Sequence, residues 1–287
     1  MESNAGNTEY IKRTVFTFNS QQQIFETHFT ALSSQIHPNS INLPEMTQYW
    51  LVTGANRGIG LALAQQLAER PDVVLFVSVR DTSKLGELAK VVANHRNVHP
   101  VQCRLEVIAD AKNAIAEISK VTDHLDVVVA NAGIAYNWEP LAKVDPEVVR
   151  EHFTVNTLGT FALFQAALPL MKKAGKSKFV AITTEVAALT LNIPYPVSAV
   201  GISKAATNYL TNRIHTEHAS DGIIAFPLNP GGVKTDIGAY AAPTAFGVEE
   251  FSIEPEDCAK GIIKVIDNAT AASGGHFWQW DGKELPW

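Results

Sequence analysis

From Gln48 onward, short apolar runs alternate with longer stretches of helical periodicity. The apolar runs are Gln48–Val52, Val73–Val79, Val98–Cys103, Val127–Ala130, Lys178–Thr183 and Ile223–Leu228. They have the length and β-branched content of strands buried on both faces. Between and after them, 61–69, 83–95, 109–121, 145–171, 200–218 and 255–268 read as helices, and 276–280 as a last short strand. Strict strand–helix alternation with two-sided burial predicts an α/β fold: a doubly wound parallel sheet of the Rossmann type, in a single domain spanning 47–287. Ligands of such sheets bind beyond the carboxyl ends of the strands.

Residues 1–46 break this pattern. They are rich in Ser, Thr, Asn and Gln and carry no basic-then-apolar leader pattern. They read as a flexible N-terminal extension or a mis-assigned start of the gene, and the predicted fold does not need them.

The first strand runs into Thr53-Gly54-Ala55-Asn56-Arg57-Gly58-Ile59-Gly60, with a helix directly after. This is the setting of a phosphate-binding turn. Gly54 suits the tight exit from the strand, Gly58 a close approach of backbone to pyrophosphate, and Gly60 close helix–strand packing. The helix start offers free N–H groups to phosphates. At the end of the second strand an NAD-binding chain carries Asp or Glu for the ribose 2′-hydroxyl. Here Arg80 stands there, and Arg57 is a second cation within the loop. Two guanidinium groups suit a 2′-phosphate, so NADP(H) is the expected cofactor, with Asp81 able either to pair with Arg80 or to oppose the phosphate.

The glycine spacing, then Asn131-Ala132-Gly133 after the fourth strand, Asn156 in Val155-Asn156-Thr157-Leu158-Gly159, Ser203-Lys204-Ala205-Ala206, and Pro230-Gly231-Gly232-Val233-Lys234-Thr235 after the sixth strand, occur in one order. That order resembles the short-chain dehydrogenase/reductase family. Within it the chain is similar to the fungal norsolorinic acid ketoreductase group, through the run His124 to Asn131, Ser203-Lys204 with Asn208-Tyr209-Leu210, and Ser273-Gly274-Gly275-His276-Phe277. The resemblance implies cofactor contacts from Gly54, Asn56, Arg57, Gly58, Ile59 and Gly60, from Arg80, and from Asn131, Ala132 and Gly133. It implies further contacts from Lys204, Pro230, Gly231, Val233 and Thr235. It also implies a ketone substrate in polyketide metabolism, a homo-oligomer built on the helices 145–171 and 200–218, and a substrate-covering lid within 236–254, preferred over an ordinary surface loop.

Catalysis in this family uses a Tyr four residues before a Lys, with a Ser and an Asn. Lys204 and Asn156 match, and Thr184 of Thr183-Thr184 takes the Ser position. The Tyr position holds Val200, which cannot donate a proton. Loss of a general acid typically costs about 10²–10⁴-fold in rate. Tyr195, Ser198 (also read as a helix N-cap) and Glu185 are the candidate replacements. Three readings follow: a ketone reductase with a substitute donor, an iminium reductase or non-redox cyclase in the same pocket, or a non-catalytic NADP-binding protein.

Composition narrows the partners. With 287 residues, 46% hydrophobic, the chain can build one large core. A net charge of −6 argues against nucleic acid. No apolar run reads as long enough to span a bilayer. Cys103 and Cys258 fit no metal spacing and read as free thiols of a reducing, cytoplasmic setting. His215 and His218 lack a ligand pattern, so no metal is expected.

Overall fold

A computed structural model describes residues 47–287; the extension 1–46 lies outside the described residues. The strands are β1 (Gln48–Thr53), β2 (Val73–Val79), β3 (Val98–Gln102), β4 (Val127–Ala130), β5 (Ser177–Ile182), β6 (Ile223–Asn229), β7 (Phe277–Gln279) and β8 (Glu284–Leu285). The helices are α1 (Gly58–Ala68), α2 (Leu88–Asn94), α3 (Ile108–Ile118), α4 (Pro146–His152), α5 (Gly159–Lys173), α6 (Ser198–His218), α7 (Asp236–Ala241) and α8 (Pro255–Asn268).

One sheet runs β3-β2-β1-β4-β5-β6-β7-β8. All neighbours are parallel except β7 and β8, an antiparallel edge absent from the sequence reading. The strand order reverses between β1 and β4, which pair through Trp50 with Val127 and Val52 with Val129. Side chains alternate across this sheet, so each strand feeds two cores. Trp50, Val52, Leu75 and Val180 pack with α1 and α8 residues on one face, and Leu51, Phe76, Val128 and Phe179 with α3, α5 and α6 residues on the other. Both layers therefore come from the same strands, which explains the near-continuous apolar runs.

Several expectations are corrected. The helix expected over 83–95 is confined to Leu88–Asn94, because Gly86 sits at φ +59° and Asp81 holds the Ser83 amide and hydroxyl in a turn. The helix expected over 145–171 is continuous to Lys173 but loosens into a π turn at Phe153–Leu158. By length and composition Pro146–Lys173 is apolar enough to cross a membrane, contrary to the sequence reading. More than half of its most apolar 18-residue stretch is buried, and α5 packs on the sheet as a layer helix. Ser198 is the first residue of α6, not its cap: Val197 precedes it and no side chain caps this helix. The segment 236–254 is no plain loop, since it folds into α7 and a π turn at Ala242–Phe246.

Candidate active site

The glycine loop leaves β1 at the strand-order reversal. Gly54 has φ +67° and Gly58 φ +53°, conformations that favour glycine. Thr53, fully buried, ties the loop to β4: its Oγ1 accepts from the Asn131 and Ala132 amides, both at 3.0 Å. The Asn131 amide group donates to Thr53 O at 2.9 Å and Gly54 O at 3.3 Å. Asn131 thus braces the loop. Gly60 lets the start of α1 come close to the strand ends, as expected: a Cβ there would meet Gly54 O at 2.2 Å and Asn131 Nδ2 at 2.6 Å. The α1 N-terminus has no side-chain cap and no acid in its first turn, so its amides are left for a ligand.

Above this loop lies a cleft of about 1350 Å³. Every residue expected to contact the cofactor lines it, from Gly54 through Arg80, Asn131–Gly133 and Lys204 to Pro230–Thr235. Arg80 lines it and is exposed. Asp81 does not pair with it: its carboxylate accepts from Ser83 and lies 3.5 Å from Lys84. Arg57 is ion-paired at 2.7 Å with Asp236, the first residue of α7. Both side chains are well exposed, so this contact is weak and exchangeable.

α6 carries Val200 and Lys204 one turn apart, both lining the cleft. Lys204 is 8% exposed, and its Nζ donates to Ile182 O at 2.7 Å. Burial pushes its pKa down to about 8. Asn156 does not line the cleft. It is fully buried in the π turn, where Oδ1 accepts from the Ile134 amide at 2.8 Å and Nδ2 donates to Ile134 O and Ser203 Oγ. Gly133 lies between them: a Cβ there would come 2.9 Å from Asn156 Oδ1 and 3.3 Å from Lys204 Nζ.

Thr184 lines the cleft, with its Oγ1 accepting weakly from the Val186 amide at 3.4 Å. Glu185 follows, its own amide held by Asn229 Oδ1 at 3.2 Å. Tyr195, 42% exposed, lines the cleft with its ring 4.7 Å from Phe246. Val200 belongs to an apolar patch with Val197, Ala245, Trp138, Val186 and Phe246.

This chain belongs to the short chain dehydrogenase family. The family pattern matches residues 48–245. An uncharacterised oxidoreductase of Schizosaccharomyces pombe is 32% identical over 83% of this chain and 96% of its own length. The norsolorinic acid ketoreductase of Dothistroma septosporum is 34% identical over 83% of this chain and 92% of its own. Among solved structures, the NADPH-bound carbonyl reductase from chicken fatty liver superposes with a TM-score of 0.76 at 28% identity, covering 84% of this chain and all of that one. The chain is therefore an oxidoreductase of this family, with ketoreductase and carbonyl reductase relatives.

Sequence reasoning missed Thr53, Asn229, His152 and the aromatic wall of Trp138, Phe246 and Phe251. His152 is fully buried, accepting the Tyr136 amide at its Nε2 and facing Val148 O with Nδ1, which fixes the neutral tautomer; burial lowers its pKa. The Thr immediately before the glycine loop and the Asn before Pro230-Gly231 are the signals that were there to be read.

Proposed function

We propose that this chain is an NADP(H)-dependent reductase of ketones in fungal polyketide metabolism, working with an altered proton-donor position. The observation that carries the reading is that two guanidinium groups, Arg57 and Arg80, line the same glycine-lined cleft as Lys204. The residues fit the cofactor. The bare α1 N-terminus and Gly58 suit a pyrophosphate, Arg80 and an Arg57 released from Asp236 suit a 2′-phosphate, and the Lys204 ammonium suits the ribose hydroxyls.

Bound NADPH supplies a hydride. Around it, Thr184 Oγ1 orients the carbonyl oxygen, and the apolar patch excludes water from the reacting carbon. Val200 leaves that oxygen without the family's phenol. Tyr195 lines the same cleft and is the side chain assigned to supply the proton in its place. We also propose a cytoplasmic homo-oligomer. The buried free thiols of Cys103 and Cys258 support the compartment, and exposed Phe153, Leu158, Phe161, Ile202 and Tyr209 on the α4–α6 layer support a second copy there.

The test compares NADPH oxidation by wild type and Val200→Tyr against aryl ketones and quinones. A rise of about 10²-fold in the variant is expected. Equal rates would mean that Val200 does not occupy the proton-donor position. Arg57→Ala with Arg80→Ala should weaken NADPH far more than NADH, and equal losses would remove the cofactor assignment.

A further inference from the structure

The cleft contains one carboxylate with unusual surroundings. Six acidic residues line it. Asp236 is paired with Arg57, Glu250 lies 3.5 Å from Lys234, Glu147 lies 3.0 Å from Arg150, and Glu151 accepts from the Tyr136 hydroxyl. Glu106 also has no partner among the described residues, but it is exposed, whereas Glu185 is half-buried. The Glu185 carboxylate has neither an ion pair nor a hydrogen bond among the described residues, although its backbone is pinned through Asn229. Nor does Lys204 neutralise it: that ammonium spends its contact on Ile182 O.

Glu185 precedes Val186, which packs in the apolar patch with Trp138 and Phe246, and it shares the cleft with an aromatic wall. Tyr195 and Phe246 lie 4.7 Å apart, Phe246 and Phe251 5.4 Å, and Trp138 lines the same cleft. Aromatic faces and an unpaired carboxylate in one cleft attract an organic cation, by ring quadrupole and by charge. A neutral ketone uses neither feature. Val200, in the apolar patch, offers no proton, and a cationic acceptor needs none.

We propose that this cleft reduces iminium ions, with Glu185 as the counter-ion and the aromatic wall as the seat of the cation. Hydride addition to the iminium carbon sends the C=N π pair onto nitrogen. The products are a neutral amine and the oxidised nicotinamide dinucleotide, and no proton is transferred. The proposal rests on the nicotinamide reading above and changes the acceptor. It also accounts for the retention of Lys204, which holds the cofactor, alongside loss of a donor at position 200.

Two measurements test it. The first needs no cofactor: calorimetric binding of N-methylquinolinium and of its neutral isostere 1-methylnaphthalene. Glu185→Gln should weaken the quinolinium by about tenfold or more, with naphthalene binding and NADPH binding unmoved. Equal quinolinium affinity in wild type and variant overturns the counter-ion assignment. The second is NADPH oxidation with N-methyl-3,4-dihydroisoquinolinium, a permanent iminium, beside the ketone 1-tetralone. Faster consumption of the iminium, with a KM that rises in Glu185→Gln, is expected. Ketone turnover without iminium turnover overturns the proposal. Failure of NADPH to bind removes the reductase reading itself, while the quinolinium result still decides the role of Glu185.

Discussion

Replacing Lys204 by Met tests the electrostatics of the site directly. The ammonium is nine-tenths buried with one carbonyl partner and no carboxylate, and its pKa falls from 10.5 to about 8. The unfolded chain therefore binds more protons than the folded one between those two values. Stability must rise with pH there. Below pH 8 the full cost of the buried charge is present, about 3 kcal/mol for a shift of this size. Between pH 7 and 9.5 roughly 2 kcal/mol of it is recovered. Lys204→Met lacks this titration. Urea unfolding of both proteins at pH 7, 8 and 9.5 should show wild type gaining on the variant by that amount. Cys103 and Cys258, whose thiols burial pushes up to about 12, lower stability as pH rises above 9, but they do so equally in both proteins and cancel in the difference. Parallel stability–pH curves would refute the argument, because the lysine would then titrate in the fold as it does unfolded.

Gly133→Ala places a methyl 2.9 Å from Asn156 Oδ1 and should cost about 1–3 kcal/mol in urea unfolding while weakening NADPH binding. Wild-type values for both would show that the loop shifts freely. Asn229→Leu removes the acceptor shared by the Glu185 and Gly231 amides and should cost about 1–3 kcal/mol, read by thermal unfolding. Cys103 and Cys258 should resist iodoacetamide in the native protein and react once it is unfolded in urea; fast native labelling of either would contradict its burial.

The alternation of apolar runs and helical stretches determined the architecture because each strand must be covered on both faces, a requirement written residue by residue into the chain. The glycine loop was equally legible, since Gly54 and Gly58 satisfy local backbone geometry. Every expected cofactor residue lines one cleft for the same reason: the motifs sit at the strand ends, and a parallel sheet puts those ends together. Asn156 was placed near the site but proves to brace Ile134 and Ser203 from below the cleft wall. Helix limits at Gly86 and Ser198 were misread because turn hydrogen bonds and packing, not periodicity, end those elements.

Other features depend on residues far apart in the chain, and no local pattern encodes them. Arg57 meets Asp236 across 179 positions. Trp138, Val200 and Ala245 form one apolar patch from three separate elements. Burial of Lys204 without a counter-charge, and a Glu185 carboxylate without a partner, both among the described residues, are properties of the assembled cleft. Composition supplied the charges, and only tertiary structure decided which of them were left unpaired, because pairing is settled by distance in space.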